Sequence, residues 1–244
     1  MVFLTAAHNE TGLLPPIEQV GALLPSGTAF FVDAAQWAGR MGELPPRVDA
    51  FCISGHKLGA PSGVGALVLR GNAARLVSPW HGGGQESGRR PGTEALALVA
   101  ALGAVCSHLD DIRLANQSLA PLRDRMEERL LRALPTAFVI AKGAPRLPNT
   151  LALAIPNVDG DALRIALDMA GVCVGFGSAC SALAPEASPA LLGWGMSKHQ
   201  AKATMRLSLP LSTTDALAEI AVGRIIAAVQ LCGNRAGDAS GWMH

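Results

Sequence analysis

The chain has 244 residues, half of them hydrophobic and 16% charged, with a formal net charge of +1. That length supports one large or two small domains around a real core, and the apolar content excludes an intrinsically disordered chain. The near-neutral balance, the absence of tyrosine and the scarcity of other aromatics offer neither the charge nor the stacking surface that a nucleic acid or an acidic membrane would need.

Residues 2–5 open the chain as a strand-like run, with no basic segment and no long apolar core of the kind a secretory signal carries. HNETG follows at 8–12, then a helical stretch at 16–24. Residues 28–32, 48–54 and 64–69 are short runs rich in Val, Phe, Ile and Leu, bounded by Gly, Pro or polar residues, and read as strands. Strand, helix, strand predicts a mostly parallel α/β sheet. A sheet that starts on its first residues leaves one edge without a partner, so the fold is expected to be open on that side.

A glycine- and arginine-rich stretch, HGGGQESGRRPGT at 81–93, separates this part from two helical patterns at 94–109 and 114–134. A smaller α+β segment completes the chain, with strands expected at 138–140, 150–155 and 204–209 and helices at 161–170 and 214–231. The predicted organisation is therefore a large domain over 1–113, a small domain over 114–231 and a frayed tail over 232–244. The most apolar stretch, 95–106, is too short to span a bilayer and suits a buried helix. Five scattered cysteines without a CxxC pair argue against a disulfide framework or a zinc site and predict a reducing, cytoplasmic setting. Cys52, Cys106 and Cys173 lie in apolar runs and read as core thiols. Cys180 lies in a stretch of small, polar and proline residues, 177–189, that suits a mobile loop.

Two strand ends carry chemistry. SGHK, 54–57, places Ser and His donors beside a lysine, an arrangement that can hold a phosphate and present an amine. Taken alone, those four residues read better as a turn with a surface lysine. DAAQ, 33–36, places a carboxylate where it can face a protonated ring nitrogen, although Asp33 could equally cap a short helix. Both motifs at neighbouring strand ends strengthen each other, because ligands of open α/β sheets collect at the carboxyl ends of the strands.

With HNETG, VDAAQ, SGHK, PSGVGALVLR, HGGGQESGRRPGT, PNT, GFGSACSA and MRLSL in this order, the chain resembles the cysteine desulfurases of the NifS and IscS type. These belong to the class V aminotransferase superfamily and depend on pyridoxal 5'-phosphate (PLP). The resemblance extends to about residue 231. It implies part of the large domain of PLP-transferase fold type I plus the small C-terminal α+β domain. It also implies that Lys57 binds the cofactor aldehyde and shuttles the substrate α-proton, that Asp33 faces the pyridinium nitrogen and that Gln36 faces the phenolate oxygen. Asn9 would lie near that oxygen and the substrate. Ser54 and His56 would hold the phosphate, and Thr93 would reach the cofactor phosphate of a second subunit in a homodimer. Arg206 would grip the substrate carboxylate, and Cys180 would take sulfur from L-cysteine as a persulfide and pass it to an acceptor protein, a scaffold or a sulfur carrier. No metal, nucleic acid or membrane enters this reading.

Members of that family carry a further N-terminal portion, with a histidine that stacks on the ring and part of the phosphate cup, which these residues do not include. Gly175 and Phe176 stand where serines are common, and Pro210 where glycine is common. Two other readings follow from the resemblance: an inactive fragment or split-enzyme half that acts as an interaction module, and another class V enzyme such as a selenocysteine lyase.

Overall fold

The structure, a computed structural model, describes residues 1–71, 77–177 and 187–238, with side chains as far as Gly233. The chain divides into two units, Met1–His8 with Leu14–Leu114, and Asn9–Leu13 with Ala115–His244.

The first unit is built on a four-stranded sheet in the order β1 (Val2–Thr5), β2 (Phe30–Asp33), β3 (Ala50–Ser54), β4 (Gly65–Leu69). The β1–β2 and β2–β3 pairs are parallel, and β4 returns antiparallel to β3. The strands alternate as half-buried strands must. Phe30 and Val32 point to one face and are almost fully buried with Ile17 of α1 (Ile17–Leu23), Leu44 and Val48. Burial of such a side chain contributes ~1.5–3 kcal/mol. The opposite face carries Phe3, Thr5, Asp33 and Leu67, all exposed, with Phe31 and Cys52 half-exposed. The Phe3 and Phe31 rings lie 5.1 Å apart on that face. Helix α2 (Leu96–Cys106) buries Leu102 with Leu58 and Ala60, while Leu96 and Val99 are exposed.

The two long helices expected at 94–109 and 114–134 are three: α2, α3 (Leu109–Gln117) and α4 (Ala120–Ala133). Pro121 explains the second break. It lacks the N–H an interior helical residue must donate, but fits the first turn of α4, where no partner is required.

The second unit has an antiparallel sheet in the order β5 (Phe138–Val139), β6 (Thr150–Ala154), β8 (Thr204–Ser208), β7 (Gly175–Phe176). Helix α5 (Gly160–Met169) begins at Asp159, whose side chain caps the Ala162 N–H. Two short helices, α6 (Pro189–Gly193) and α7 (Lys198–Lys202), precede β8. The core gathers Leu130, Leu151, Leu153, Leu163, Leu167, Met205, Val222 and Ile225. Helix α8 (Asp215–Asp238) runs through the region expected to fray after Cys232. Over Asp215–Gly233 it is also long and apolar enough, by length and composition, to cross a membrane, contrary to the expectation that no segment is. Its Ala218, Val222, Ile225, Ala228 and Val229 are buried in the core of this unit, and 28% of the apolar stretch is buried in all.

Candidate active site

The parallel pairing of β2 with β3 puts Asp33 directly opposite Cys52, so the carboxyl ends of the two strands lie side by side. Asp33 Oδ1 accepts the Ala35 N–H at 2.9 Å and the Cys52 thiol at 3.6 Å. The Asp33 side chain is otherwise open to solvent. Burial first, and the Asp33 charge second, push the Cys52 thiol up from its ordinary value. At neutral pH Cys52 is therefore a protonated donor and not a competing nucleophile. It is not the core thiol the sequence predicted, because it lies on the sheet face opposite Phe30 and Val32.

After β3 the chain closes into one tight turn, Gly55–Lys57. The Gly55 N–H donates to Val64 O at 2.9 Å, and Leu58 and Ala60 N–H both donate to Gly55 O. A β-carbon at Gly55 would stand 2.8 Å from Val64 O, so only glycine lets the backbones approach this closely. Ser54 Oγ and His56 Nδ1 are 3.0 Å apart, and Lys57 leaves the end of the turn exposed. Gln36 lies in a helical turn that starts with Trp37 and Ala38 N–H donating to Ala34 O. A carboxylate, an amide, a hydroxyl, an imidazole and an amine thus stand on two adjoining strand ends of one unit. This donor set fits PLP: an amine for the aldehyde, a carboxylate for the ring nitrogen and a hydroxyl and an imidazole for a phosphate.

The second unit holds a separate cluster. Arg206 lies in the middle of β8, opposite Ala152 on one side and Gly175 on the other. Its Nη1 donates to Asn9 O at 2.7 Å. Glu10, only 8% exposed, lines a small cavity with Thr11, Gly175, Thr204 and Arg206. Glu10 Oε2 and Arg206 Nε are buried there without a hydrogen-bond partner. Burial pulls the Arg206 pKa down, and the Glu10 charge opposes that shift. A β-carbon at Gly175 would stand 2.7 Å from Arg206 Nη2, so the glycine keeps the guanidinium in place. An arginine with unfilled donors and an internal counter-charge is suited to grip a carboxylate.

The structure therefore brings Asp33, Gln36, Ser54, His56 and Lys57 together in one unit, and Asn9 and Arg206 in the other. Thr93 is exposed in the first unit, just past the Gln85 side chain that accepts the Gly92 N–H. Cys180 lies outside the described residues. Cys173, read as a core thiol, is exposed because the chain is not in a strand there; β7 starts at Gly175. Sequence reading missed Glu10 and Cys52 as parts of these clusters. Glu10 alone had a signal, its place inside HNETG.

The aminotransferase class-V family matches residues 1–219. The chain belongs to this family. Its members are PLP-dependent enzymes, and the fold is that of the PLP-transferases of fold type I, in part. The chain is 37% identical over 217 residues to cysteine desulfurase 2 of Trichormus variabilis, covering 86% of this chain and 53% of that protein. It is 36% identical over 216 residues to the cysteine desulfurase NifS of Azotobacter vinelandii, covering 86% of this chain and 53% of the relative. The structure superposes on a NifS-like protein from Rickettsia africae with a TM-score of 0.84 at 28% identity, covering 94% of this chain and 61% of that one. The chain thus spans about half the length of the curated relatives it matches.

Proposed function

We propose that this chain forms the lysine- and cysteine-bearing part of a cysteine desulfurase, which converts L-cysteine to L-alanine and keeps the sulfur as a persulfide on Cys180 for an acceptor protein. The observation that carries the reading is the alignment of Asp33, Gln36, Ser54, His56 and Lys57 on two parallel strand ends. PLP, when bound, supplies an electron sink for charge developing at the substrate α-carbon. Asp33 holds a proton on the ring nitrogen, Gln36 donates to the phenolate oxygen, and Ser54 and His56 donate to the phosphate.

Lys57 Nζ removes the α-proton and returns it. Arg206 fixes the substrate through its carboxylate, with the donors that Asn9 O does not occupy. The Cys180 thiolate attacks the substrate sulfur, so that an S–S bond forms as the Cβ–S bond breaks. The homodimer implied by Thr93 and the cytoplasmic setting belong to the same proposal. A second reading, in which these residues act only when a complementary segment covers the open sheet face, is favoured by the exposure of Phe3 and Leu67.

The test is the absorbance spectrum of the purified chain with added PLP, beside Lys57→Ala. A visible band that depends on Lys57 is the expected result, followed by alanine release from cysteine that is lost in Cys180→Ser. A folded chain with no such band would rule out autonomous activity and leave the second reading.

A further inference from the structure

Arg40 is a cation that the proposed chemistry does not use, and it joins the two segments that carry it. Its Nη1 donates to Gln36 O at 3.2 Å and its Nη2 to Lys57 O at 3.3 Å. Those carbonyls end two separate turns. Gln36 O lies in the turn after β2, where Arg40 and Met41 N–H instead choose Trp37 O. Lys57 O ends the turn after β3, whose Leu58 and Ala60 N–H choose Gly55 O. One planar guanidinium thus reaches a carbonyl in each of the two turns.

The side chain is half-buried, its pKa is lowered by burial, and among the described residues it makes no ion pair. A charge held off solvent with carbonyls as partners makes charge-assisted bonds stronger than neutral ones. Gly39, at φ +67°, turns the chain so that Arg40 follows it directly, and a β-carbon there would meet Leu58 at 2.9 Å.

We propose that Arg40 is a positioning residue, a fork that ties the Gln36 turn to the Lys57 turn and fixes the backbone from which Lys57 presents its amine. The two strands already meet through the Ala34 N–H, which donates to Cys52 O at 3.0 Å. That bond lies where β2 ends and the Gln36 turn starts. Beyond it Arg40 sets the spacing between an amide and an amine that must face one small molecule. Lysine does not replace it, because a single ammonium on a flexible stem does not bridge two carbonyls with fixed geometry. The proposal rests on the reading of Lys57 as the cofactor lysine, but the clamp itself makes no use of the cofactor.

Arg40→Met keeps the stem and removes the fork, Arg40→Lys keeps the charge, and Arg40→Ala removes both. Two measurements on each full chain decide the matter. Peptide-resolved hydrogen exchange without PLP is expected to rise about tenfold over residues 36–38 and 55–60 in Arg40→Met and Arg40→Ala, with β6 and α8 unchanged, and to be partly restored in Arg40→Lys. PLP titration, followed by the Lys57-dependent absorbance band, is expected to show weaker binding by about tenfold in the same order. Wild-type exchange in both segments overturns the clamp. So does a uniform rise across the chain, which marks loss of general stability. If the wild type shows no band at all, autonomous activity fails as above, while the exchange result still decides the clamp. If exchange rises locally and PLP affinity does not change, the clamp exists but does not position Lys57, and the proposal fails.

Discussion

At the scale of single residues, Cys52 shows how a neutral thiol can serve a charged site. Its proton is directed at Asp33 Oδ1, and burial followed by the Asp33 charge keeps that proton on sulfur. A thiol whose folded pKa is raised contributes stability below its unfolded pKa and loses it as pH rises through the folded value. Cys52 therefore supports the fold at neutral pH and ceases to do so above the ordinary thiol range. Residue-resolved alkylation of the native chain against pH checks this. Cys52 is expected to react only at pH above that range, and Asp33→Asn is expected to move its onset down by removing the second cause while burial remains. Alkylation of Cys52 at the pH of a free thiol would show that the carboxylate does not hold the proton.

At the scale of elements, the second unit depends on a pair that spans α4 and the segment before β6. Glu127 of α4 accepts from Arg146 Nη2 at 2.8 Å, with the two side chains only 11% and 9% exposed. Arg146 also pairs with Leu13 by an isolated β-bridge, so the HNETG segment is attached to the unit through the same residue. Removing one partner of such a pair leaves a buried charge and costs about 3–5 kcal/mol. Glu127→Ala should lower stability in urea by that amount. Replacing Glu127 and Arg146 together with Met and Leu should recover most of it, because no buried charge then remains. Equal losses in the single and double variants would show that packing, not charge, is at issue. By contrast, Arg125–Asp215 and Arg129–Glu219, which join α4 to α8 on the surface, are exposed pairs, worth only ~0–1 kcal/mol each.

For the whole molecule, the notable feature is a mostly parallel sheet with one face open. Sheets of parallel strands are normally covered on both faces, because their connections lay helices on each. Here α1 and the 34–48 segment cover the Phe30 and Val32 face, while Phe3 and Leu67 on the other are 67% and 46% exposed. Strand β1 also forms a sheet edge, and free edges and apolar faces promote association. The purified chain is expected to bind a hydrophobic dye and to self-associate at high concentration. Phe3→Ser with Leu67→Ser should reduce both, at a stability cost within about 1 kcal/mol because exposed side chains are lost. Light scattering and dye fluorescence that do not differ between wild type and variant would mean that this face is not what associates.

Much of this protein was legible in the sequence, for a physical reason. Short apolar runs ended by Gly, Pro or polar residues located β1 to β4, β6 and β8, because alternation and turn chemistry are local properties of the chain. Motifs in order, from HNETG to MRLSL, identified the residues at the strand ends and the family. The strand expected around Cys173 is only the two residues of β7, Gly175–Phe176, which start after that cysteine. What only the tertiary structure decided is pairing across long separations. The β2–β3 register put the Cys52 thiol on Asp33. A contact across 197 positions joined Asn9 O to Arg206, burial put Glu10 in the cavity beside that arginine, and Arg40 met two carbonyls from different turns. No local pattern encodes such meetings, since burial and register are fixed only when distant segments pack against one another.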